Sequence, residues 1–249
     1  MPYTAEISRA NPSCFLFLID QSGSMADPFG AGESSRRKAD GVADAINRLL
    51  QNLVIKCAKE EGVRDYYHVG VIGYGAHVGP AFSGTLAGRE LVPVSEIGNM
   101  PARIENRTKK VDDGAGGVVD QPIRFPIWFD PVANGGTPMC QALGRAQAIL
   151  QGWLSQHPAC FPPIVINITD GEATDGDPSG VAEAIRKLSS NDGEVLLFNV
   201  HLSSQRATPI EFPDTEAGLP DQFAQLLFRM SSPLPAYMRS IAQQEGYKV

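Results

Sequence analysis

Short apolar runs alternate with amphipathic segments along the chain, and this alternation is typical of an α/β protein. The apolar runs cover residues 14–19, 68–74, 162–169 and 195–202. Runs of this length that end in turn residues predict strands buried on both faces of a parallel sheet. Between and after them, apolar side chains recur at helical spacing. The helices predicted from this spacing cover residues 35–61, 138–153, 179–190, 221–230 and 235–244.

The order of these elements predicts one domain with a Rossmann-like open sheet of about five or six mostly parallel strands and helices on both faces. The domain spans residues 1–249, with a core over 12–249 and an N-terminal arm over 1–12. Residues 84–134 and 203–219 break the pattern, which indicates surface insertions.

Shorter elements are predicted around this framework. Residues 77–82 read as an antiparallel edge strand and 123–129 as a further strand, whereas 94–108 predict short helical pieces. Residues 112–117, with the sequence DDGAGG, predict a loop tip and not a phosphate-binding loop, because no strand-to-helix context surrounds them. Residues 247–249 resemble the opening of a strand, so we expect the natural protein to continue beyond Val249.

Charge and hydropathy exclude several classes of function. The formal charge is −7, with 21 Lys and Arg against 28 Asp and Glu. An acidic chain without a basic stripe argues against nucleic-acid or anionic-membrane partners. No apolar run approaches the roughly 18–20 residues of a membrane span, and residues 1–13 do not resemble a secretory signal. These features predict a soluble, cytoplasmic protein.

Oxygen-bearing side chains cluster where the predicted strands end. Asp20, Ser22 and Ser24 follow the first strand, Thr137 precedes a helix, and Asp170 ends the strand at 162–169. Because ligands of open α/β sheets collect at the carboxyl ends of strands, we expect these side chains to share one edge. A set of hard oxygen donors without His or Cys suits Mg²⁺, Mn²⁺ or Ca²⁺ better than zinc, and a tight octahedral site favours Mg²⁺.

These residues resemble a known family. The pattern Asp20-x-Ser22-x-Ser24, then Thr137, then Asp170-Gly171 is similar to the metal-ion-dependent adhesion site of von Willebrand factor A (vWA) domains, with the ligand types in the family's order. More particularly, the chain resembles stand-alone bacterial vWA proteins of the tellurium-resistance type. From this pattern we expect the family's final strand and C-terminal helix to be missing from this chain.

The resemblance implies roles for individual residues. Ser22 and Ser24 would bind the ion directly, and Thr137 directly or through water. Asp20 and Asp170 would act largely through water, with one of them able to bind directly when no partner is present. The partner-binding rim would comprise Gln21, Met25, Pro138 and Glu172, although burial of Met25 beneath the loop is an equal alternative.

The same resemblance implies a function. A partner protein would supply an Asp or Glu to the cation, and the chain would act as a non-enzymatic adaptor in bacterial stress response or in kinase and phosphatase signalling. The implied partners are a Ser/Thr-kinase-like protein and a PP2C-like phosphatase, because the genes of this group often sit beside genes for such proteins.

An enzyme is the main alternative. Asp20 follows a strand, as a phosphoryl-accepting nucleophile does in some phosphatases, so a metal-dependent hydrolase stays open. Against it, the position two residues later is Ser22 and not a second acid, and no strand–GxSxG–helix elbow occurs. The acidic cluster over 170–177 misses the spacing of a calcium-binding EF-hand, and we interpret it as a turn before the next helix.

Overall fold

The described residues of the computed structural model, 2–28, 36–112, 117–203 and 209–249, alternate strands with helices. The helices are α1 Lys38–Cys57, α2 Val94–Asn99, α3 Met139–Gln156, α4 Ser179–Arg186, α5 Gln222–Met230 and α6 Ala236–Gln244. The strands are β1 Ser13–Asp20, β2 Ala58–Lys59, β3 Gly62–Val63, β4 Tyr67–Tyr74, β5 Val78–Pro80, β6 Val92–Pro93, β7 Arg103–Asp112, β8 Val118–Ile127, β9 Ile164–Thr169, β10 Ser189–Ser190, β11 Gly193–Glu194 and β12 Leu196–His201.

The central sheet of the described chain has six strands and is mostly parallel. Its order is β12-β9-β1-β4-β5, with β6 also pairing with β4. The pairs β1–β4, β1–β9 and β9–β12 are parallel, whereas β5 and β6 run antiparallel to β4. The predicted α/β architecture of a mostly parallel sheet flanked by helices is therefore confirmed.

Both faces of this sheet are buried, which explains the continuous apolar runs. Alternate residues of β1 point to opposite sides. Leu16 and Leu18 belong to the core that contains the buried faces of α3, α4 and α5. Phe17 and Ile19 belong to the core that contains those of α1 and α2. A strand covered on both sides has no polar face to break its apolar sequence.

Buried polar side chains cross the first of these cores. Tyr74 Oη donates to Asn167 Oδ1 (2.7 Å), and Asn167 Nδ2 donates to Asn199 Oδ1 (2.9 Å). Asn199 Nδ2 then donates to the Leu227 carbonyl and to Ser231 Oγ, both at the C-terminal end of α5. Because each donor needs its own partner, a one-residue slip of β9 would leave buried amides unpaired, so this line of contacts fixes the strand register.

Several element boundaries differ from the prediction. Helix α1 ends at Cys57 and not at Glu61, because β2 pairs with β3 in a tight antiparallel turn directly after it. Helix α4 ends at Arg186 for a similar reason, since Ser189–Ser190 pairs with Gly193–Glu194. Residue 35, where the first predicted helix starts, lies outside the described residues, and residues 247–249 form no strand.

The predicted insertion at 84–134 is more regular than expected. Helix α2 confirms part of the helical prediction for 94–108, but from Arg103 onward the chain forms β7, which pairs with β8 along ten residues in a separate antiparallel hairpin. The strand predicted at 123–129 is confirmed as far as Ile127 by β8, in which Ile123, Phe125 and Ile127 occupy alternate positions. Most side chains of β7 are exposed, so that strand shows no apolar alternation that would have revealed it. Of the predicted loop tip, residues 113–116 lie outside the described residues, as do 204–208 of the second insertion.

The base of the hairpin is attached to α1 by one buried side chain. Asn47 is 1% exposed, and its Oδ1 accepts hydrogen bonds from the backbone N–H groups of Trp128 (2.8 Å) and Phe129 (3.0 Å). Its Nδ2 donates to the Phe129 carbonyl (2.8 Å). Asn47 therefore pairs three backbone groups where the chain leaves β8 and no strand partner is available.

Membrane insertion of a helix finds no support in the described part of the chain. None of its helices combines the length and the apolar character that crossing a bilayer requires.

Candidate metal site

The predicted site lies at the point where the strand order reverses. The connection from β1 through α1 leads to β4 on one side of β1, whereas β9 and β12 lie on the other side. Asp20 ends β1, and Asp170 follows the last residue of β9. In open α/β sheets, the diverging connections at such a reversal leave a crevice in which ligands bind.

Asp20 forms the buried floor of the site. Its side chain accepts hydrogen bonds from the Ser22 N–H at Oδ1 (2.8 Å) and from Thr169 Oγ1 at Oδ2 (2.7 Å), and the residue is 1% exposed. Burial raises the pKa of the Asp20 carboxyl, and the charge of Asp170 adds to the rise, while the bonds from Ser22 and Thr169 oppose it. A carboxylate removed from water next to a second acid is stabilised by a nearby cation.

Ser22 and Ser24 place two hydroxyls side by side. Ser22 directly precedes the short 3₁₀ turn Gly23–Ala26, and Ser22 Oγ lies 2.9 Å from Ser24 Oγ. Two neighbouring ligands of an octahedral ion with bonds of about 2.0–2.1 Å also lie about 2.9 Å apart. In this structure the two hydroxyls are hydrogen-bonded to each other, so both oxygens are directed to one place. A cation bound there would take the position of this hydrogen bond and use both oxygens as ligands.

Backbone hydrogen bonds join the three loops around these hydroxyls. The loops follow β1, follow β4 and precede α3. The bonds run from Gln21 N to Tyr74 O (2.7 Å), from Asn134 N to Gln21 O (2.7 Å), from Ala76 N to Asn134 O (2.8 Å) and from Gly23 N to Gly135 O (2.9 Å). Because main-chain groups make these bonds, the loop positions depend little on which side chains the loops carry.

Thr137 is held by the loop that follows β9. The Thr137 N–H donates to Thr174 Oγ1 (2.9 Å), and the Thr174 N–H donates back to the Thr137 carbonyl (2.9 Å). One residue further, Asp175 accepts from the N–H groups of Cys140 and Gln141 and so caps α3. Among the described residues no hydrogen bond to the Thr137 hydroxyl is present, although Thr137 is 5% exposed, so this oxygen is available to an ion.

Gly135 is the residue of these loops that tolerates a side chain least. Its φ is +87°, and a Cβ built on it would lie 2.4 Å from the Ala76 nitrogen. We therefore expect Gly135→Ala to lower the free energy of unfolding by about 2 to 3 kcal/mol, through strain and overpacking. Denaturant titration of the metal-free protein measures this loss.

Gly144, inside α3, is the matched control for this substitution. A Cβ there would meet no atom within 4 Å, so Gly144→Ala is expected to stabilise the protein by about 0.5–1 kcal/mol. Wild-type stability in Gly135→Ala would contradict the description of the joined loops.

A cleft of about 310 Å³ opens above these loops. Ser24, Thr137 and Asp170 line it, which brings residues from the three predicted segments together. Lys38 and His201 line it as well. Lys38 Nζ lies 3.4 Å from Asp170 Oδ2, and His201 Nε2 donates to the Asp170 carbonyl (3.0 Å). The cleft therefore contains a positive charge beside one of the predicted metal ligands.

Of the two alternatives for Met25, rim or burial beneath the loop, the structure shows burial. Met25 is fully buried and packs with Phe17 and Ile19 in the core beneath the loop, so it has no surface to offer a partner. Glu172 is exposed and lines the cleft, and Pro138 is half-buried directly before α3. Gln21 is also half-buried, and its side chain covers Gly73 of β4. Glu172, Pro138 and Gln21 stay predicted rim residues.

Four further residues shape this site although the sequence did not predict them: Lys38, Thr169, Thr174 and His201. A lysine directly after two arginines at the start of a helix reads as a solvent-exposed charge, and a threonine that ends a strand reads as a strand residue. Their roles depend on contacts with distant segments, which spacing along the chain does not reveal. Thr174 lies in the acidic cluster over 170–177, and from its carboxylates this segment was interpreted as a turn before the next helix.

The donor set determines which ions the site suits. Within the described residues, no group of three or more His, Cys, Asp or Glu side chains is arranged to hold a metal. A cation at this site would thus depend on the hydroxyls of Ser22, Ser24 and Thr137, with Asp20 and Asp170 supplying charge. Such an oxygen set fits Mg²⁺, which commonly keeps several waters, and does not fit zinc.

No protein-family model matches the chain, and no curated protein sequence matches it. Among solved structures, it is similar to the vWF domain of the type V pili tip protein Mfa5 from Porphyromonas gingivalis, at 18% identity and a TM-score of 0.33 over 68% of this chain and 40% of that one. It is similar to the pilus adhesin RrgA from Streptococcus pneumoniae, at 16% identity and a TM-score of 0.34 over 66% of this chain and 21% of that one.

A third similar structure is an aerotolerance-related membrane protein from Bacteroides fragilis with multiple mutations to serines. It shares 14% identity at a TM-score of 0.41, over 93% of this chain and 97% of that one. The chain spans less than half the length of either pilus protein. These TM-scores are too low to carry an argument, so the proposals below depend on this chain's own residues and on its motif.

Proposed function

We propose that this chain is a protein-binding module whose hold on its partner requires a divalent cation. The observation that carries the proposal is the pair of hydroxyls of Ser22 and Ser24, fixed 2.9 Å apart beside the buried carboxylate of Asp20. Thr137 and Asp170 line the same cleft as Ser24, at the point where the strand order reverses. The cleft therefore offers the oxygens of Ser24, Thr137 and Asp170, and the buried Ser22 joins them through its hydrogen bond to Ser24.

The proposed ion is Mg²⁺, with Mn²⁺ and Ca²⁺ as the alternatives. A tight octahedral site that keeps several waters favours the smaller ion. Isothermal titration calorimetry measures the affinity of the protein for each ion. Tighter binding of Ca²⁺ than of Mg²⁺ would contradict the preference for Mg²⁺.

Each residue contributes a distinct task. Ser22, Ser24 and Thr137 would ligate the ion, while Asp20 and Asp170 would neutralise its charge, largely through water. When bound, the ion would accept one further carboxylate. The neutral ligands leave it incompletely neutralised, so an Asp or Glu of a partner is attracted to the remaining position. Glu172, Gln21 and Pro138 would contact the surface around that carboxylate.

A binding role suits Asp20 better than a catalytic one. A phosphoryl-accepting carboxylate must present an oxygen to its substrate in line with the leaving group. Asp20 is 1% exposed, and each of its oxygens already accepts a hydrogen bond, one from Ser22 and one from Thr169. We therefore propose a non-enzymatic adaptor and keep a metal-dependent hydrolase as the second candidate.

The cellular setting is proposed from the resemblance of the motif. It favours a cytoplasmic adaptor in a bacterial stress response of the tellurium-resistance type. The proposed partners are a Ser/Thr-kinase-like protein and a PP2C-like phosphatase. The net charge of −7 supports protein partners over nucleic acid or anionic membranes.

Removal of one ligand tests the proposal. We expect Thr137→Ala to weaken Mg²⁺ binding by about 10- to 100-fold, as loss of groups that hold or orient a metal commonly does, and to reduce partner capture equally. Chelation of divalent cations by EDTA is expected to abolish capture in the wild type. Calorimetry measures the first effect, and pull-down with identification of the captured protein by mass spectrometry measures the second.

Thr108→Ala, an exposed threonine of β7, is the matched control and is expected to behave as wild type. Capture that survives both EDTA and Thr137→Ala would show that the cation is not needed. Turnover of p-nitrophenyl phosphate that disappears with Thr137→Ala would instead favour the hydrolase.

A further inference from the structure

Lys38 is a buried cation at the edge of the candidate metal site. It is the first residue of α1, and its side chain is 3% exposed. Every other Lys or Arg that forms an ion pair within the described ranges has a side chain at least 31% exposed. The one charged partner within ion-pair distance of Lys38 in this part of the molecule is Asp170, whose Oδ2 lies 3.4 Å from Nζ.

The position of Lys38 is fixed at its backbone. Its N–H donates to the Asp27 carbonyl (2.9 Å), which ties the start of α1 to the end of the turn that carries Ser24. The side chain then reaches across the cleft to Asp170. The long aliphatic stem of a lysine has several rotatable bonds, so the ammonium can leave Asp170 while the backbone stays in place.

The electrostatics of the site make this ammonium and a metal ion compete for the carboxylate of Asp170. Burying a charge is costly unless an opposite charge accompanies it, and Lys38 and Asp170 satisfy this requirement for each other. A divalent cation held by Ser22 and Ser24 would need the same carboxylate. Two positive charges cannot share one carboxylate in a partly desolvated cleft without strong repulsion.

We infer that Lys38 is a tethered competitor of the divalent cation, so that the cation binds by exchange with the Lys38 ammonium at Asp170. This inference rests on the proposed function, because it assumes that the site takes a divalent cation. The ammonium keeps Asp170 paired in the metal-free protein and lowers the affinity for the ion.

The test compares Mg²⁺ binding by wild type, Lys38→Met and Lys38→Arg using calorimetry. Lys38→Met keeps the apolar stem and removes the charge, and we expect it to bind Mg²⁺ at least about tenfold more tightly than the wild type. Lys38→Arg keeps the charge and is expected to bind no more tightly than the wild type. Lys187→Met removes an exposed lysine of the Glu183 ion pair and is expected to change the affinity by less than about twofold.

The outcomes separate the inference from the proposed function. Equal or weaker Mg²⁺ binding by Lys38→Met, with measurable binding by wild type, overturns the inference and leaves the proposed function standing. Absence of Mg²⁺ binding in both proteins overturns both. Partner capture that survives EDTA and is lost in Lys38→Met shows that the lysine itself receives the partner carboxylate, which also overturns both.

A second measurement covers the stability of the variant. Without metal, Lys38→Met leaves Asp170 unpaired, so we expect a lower melting temperature in EDTA and a larger rise with Mg²⁺ than in the wild type. If the variant does not fold, acetylation of Lys38 in the wild type is measured by peptide mass spectrometry, with the Lys187 peptide as internal control. Saturating Mg²⁺ is expected to increase acetylation of Lys38, and unchanged acetylation overturns the exchange.

Discussion

Replacement of Asp20 by asparagine is expected to weaken Mg²⁺ binding by about 100-fold, at the upper end of what loss of a metal-orienting group costs. The amide keeps the shape of the carboxylate and can accept the Ser22 N–H bond, but it removes the negative charge at the floor of the site. Calorimetric titration with Mg²⁺ measures the loss. Asp120→Asn, an exposed residue of β8, makes the same chemical change on the hairpin and is expected to bind Mg²⁺ as wild type does.

The stability of Asp20→Asn provides a second signature. Burial disfavours the charged form of Asp20, and the resulting rise in pKa means that the carboxylate destabilises the metal-free fold. The neutral amide removes this penalty, so the variant is expected to melt no lower than wild type in EDTA. In excess Mg²⁺ the order reverses, because only the wild type gains from binding. Equal Mg²⁺-induced shifts in the two proteins would exclude Asp20 from the site.

Replacement of Asn47 by alanine is expected to lower the free energy of unfolding by about 3 to 5 kcal/mol, because it leaves buried backbone groups without hydrogen-bond partners. Without the amide, the N–H groups of Trp128 and Phe129 and the Phe129 carbonyl lose their partners. Asn47 is 1% exposed, so water cannot replace the amide without opening the core. Denaturant titration measures the change.

Asn52→Ala is the matched control for this prediction. Asn52 is exposed on the same helix, and alanine is the better helix former. The free energy of unfolding of Asn52→Ala is therefore expected to differ from that of the wild type by less than about 0.5 kcal/mol. If the free energies of unfolding of the two variants differ by less than about 1 kcal/mol, the amide of Asn47 does not hold the base of the hairpin. Two buried backbone groups without hydrogen-bond partners would alone cost more than that.

The central strands were predictable because their environment leaves a direct trace in the sequence. Each residue of β1 from Phe15 to Ile19 has sheet neighbours on both sides and helices above and below, so apolar side chains fill every position. The strand ends were predictable as well, because Asp20 and Asp170 stop these runs. Their shared location at one sheet edge follows from parallel pairing.

Other features left no such trace. The strands β7 and β8 stabilise each other mainly through paired backbone groups and through cross-strand contacts such as that of the Arg107 guanidinium over the Phe125 ring (4.0 Å). Most side chains of β7 are exposed, so its sequence shows no buried face. The burial of Lys38 is equally invisible, because it depends on Asp170, 132 residues away in the chain. The role of the five oxygen ligands as a metal site stays a prediction that the experiments above test.

The way in which the three loops are joined bears on how this surface can evolve. Amide and carbonyl groups are common to all residues, so mutations at solvent-facing loop positions leave the connections between Gln21, Asn134 and Ala76 intact. Only positions such as Gly135, where a Cβ would strike the neighbouring loop, are closed to change. Changes at the solvent-facing loop positions can therefore reshape the surface around the proposed metal site without separating the residues proposed to hold the ion.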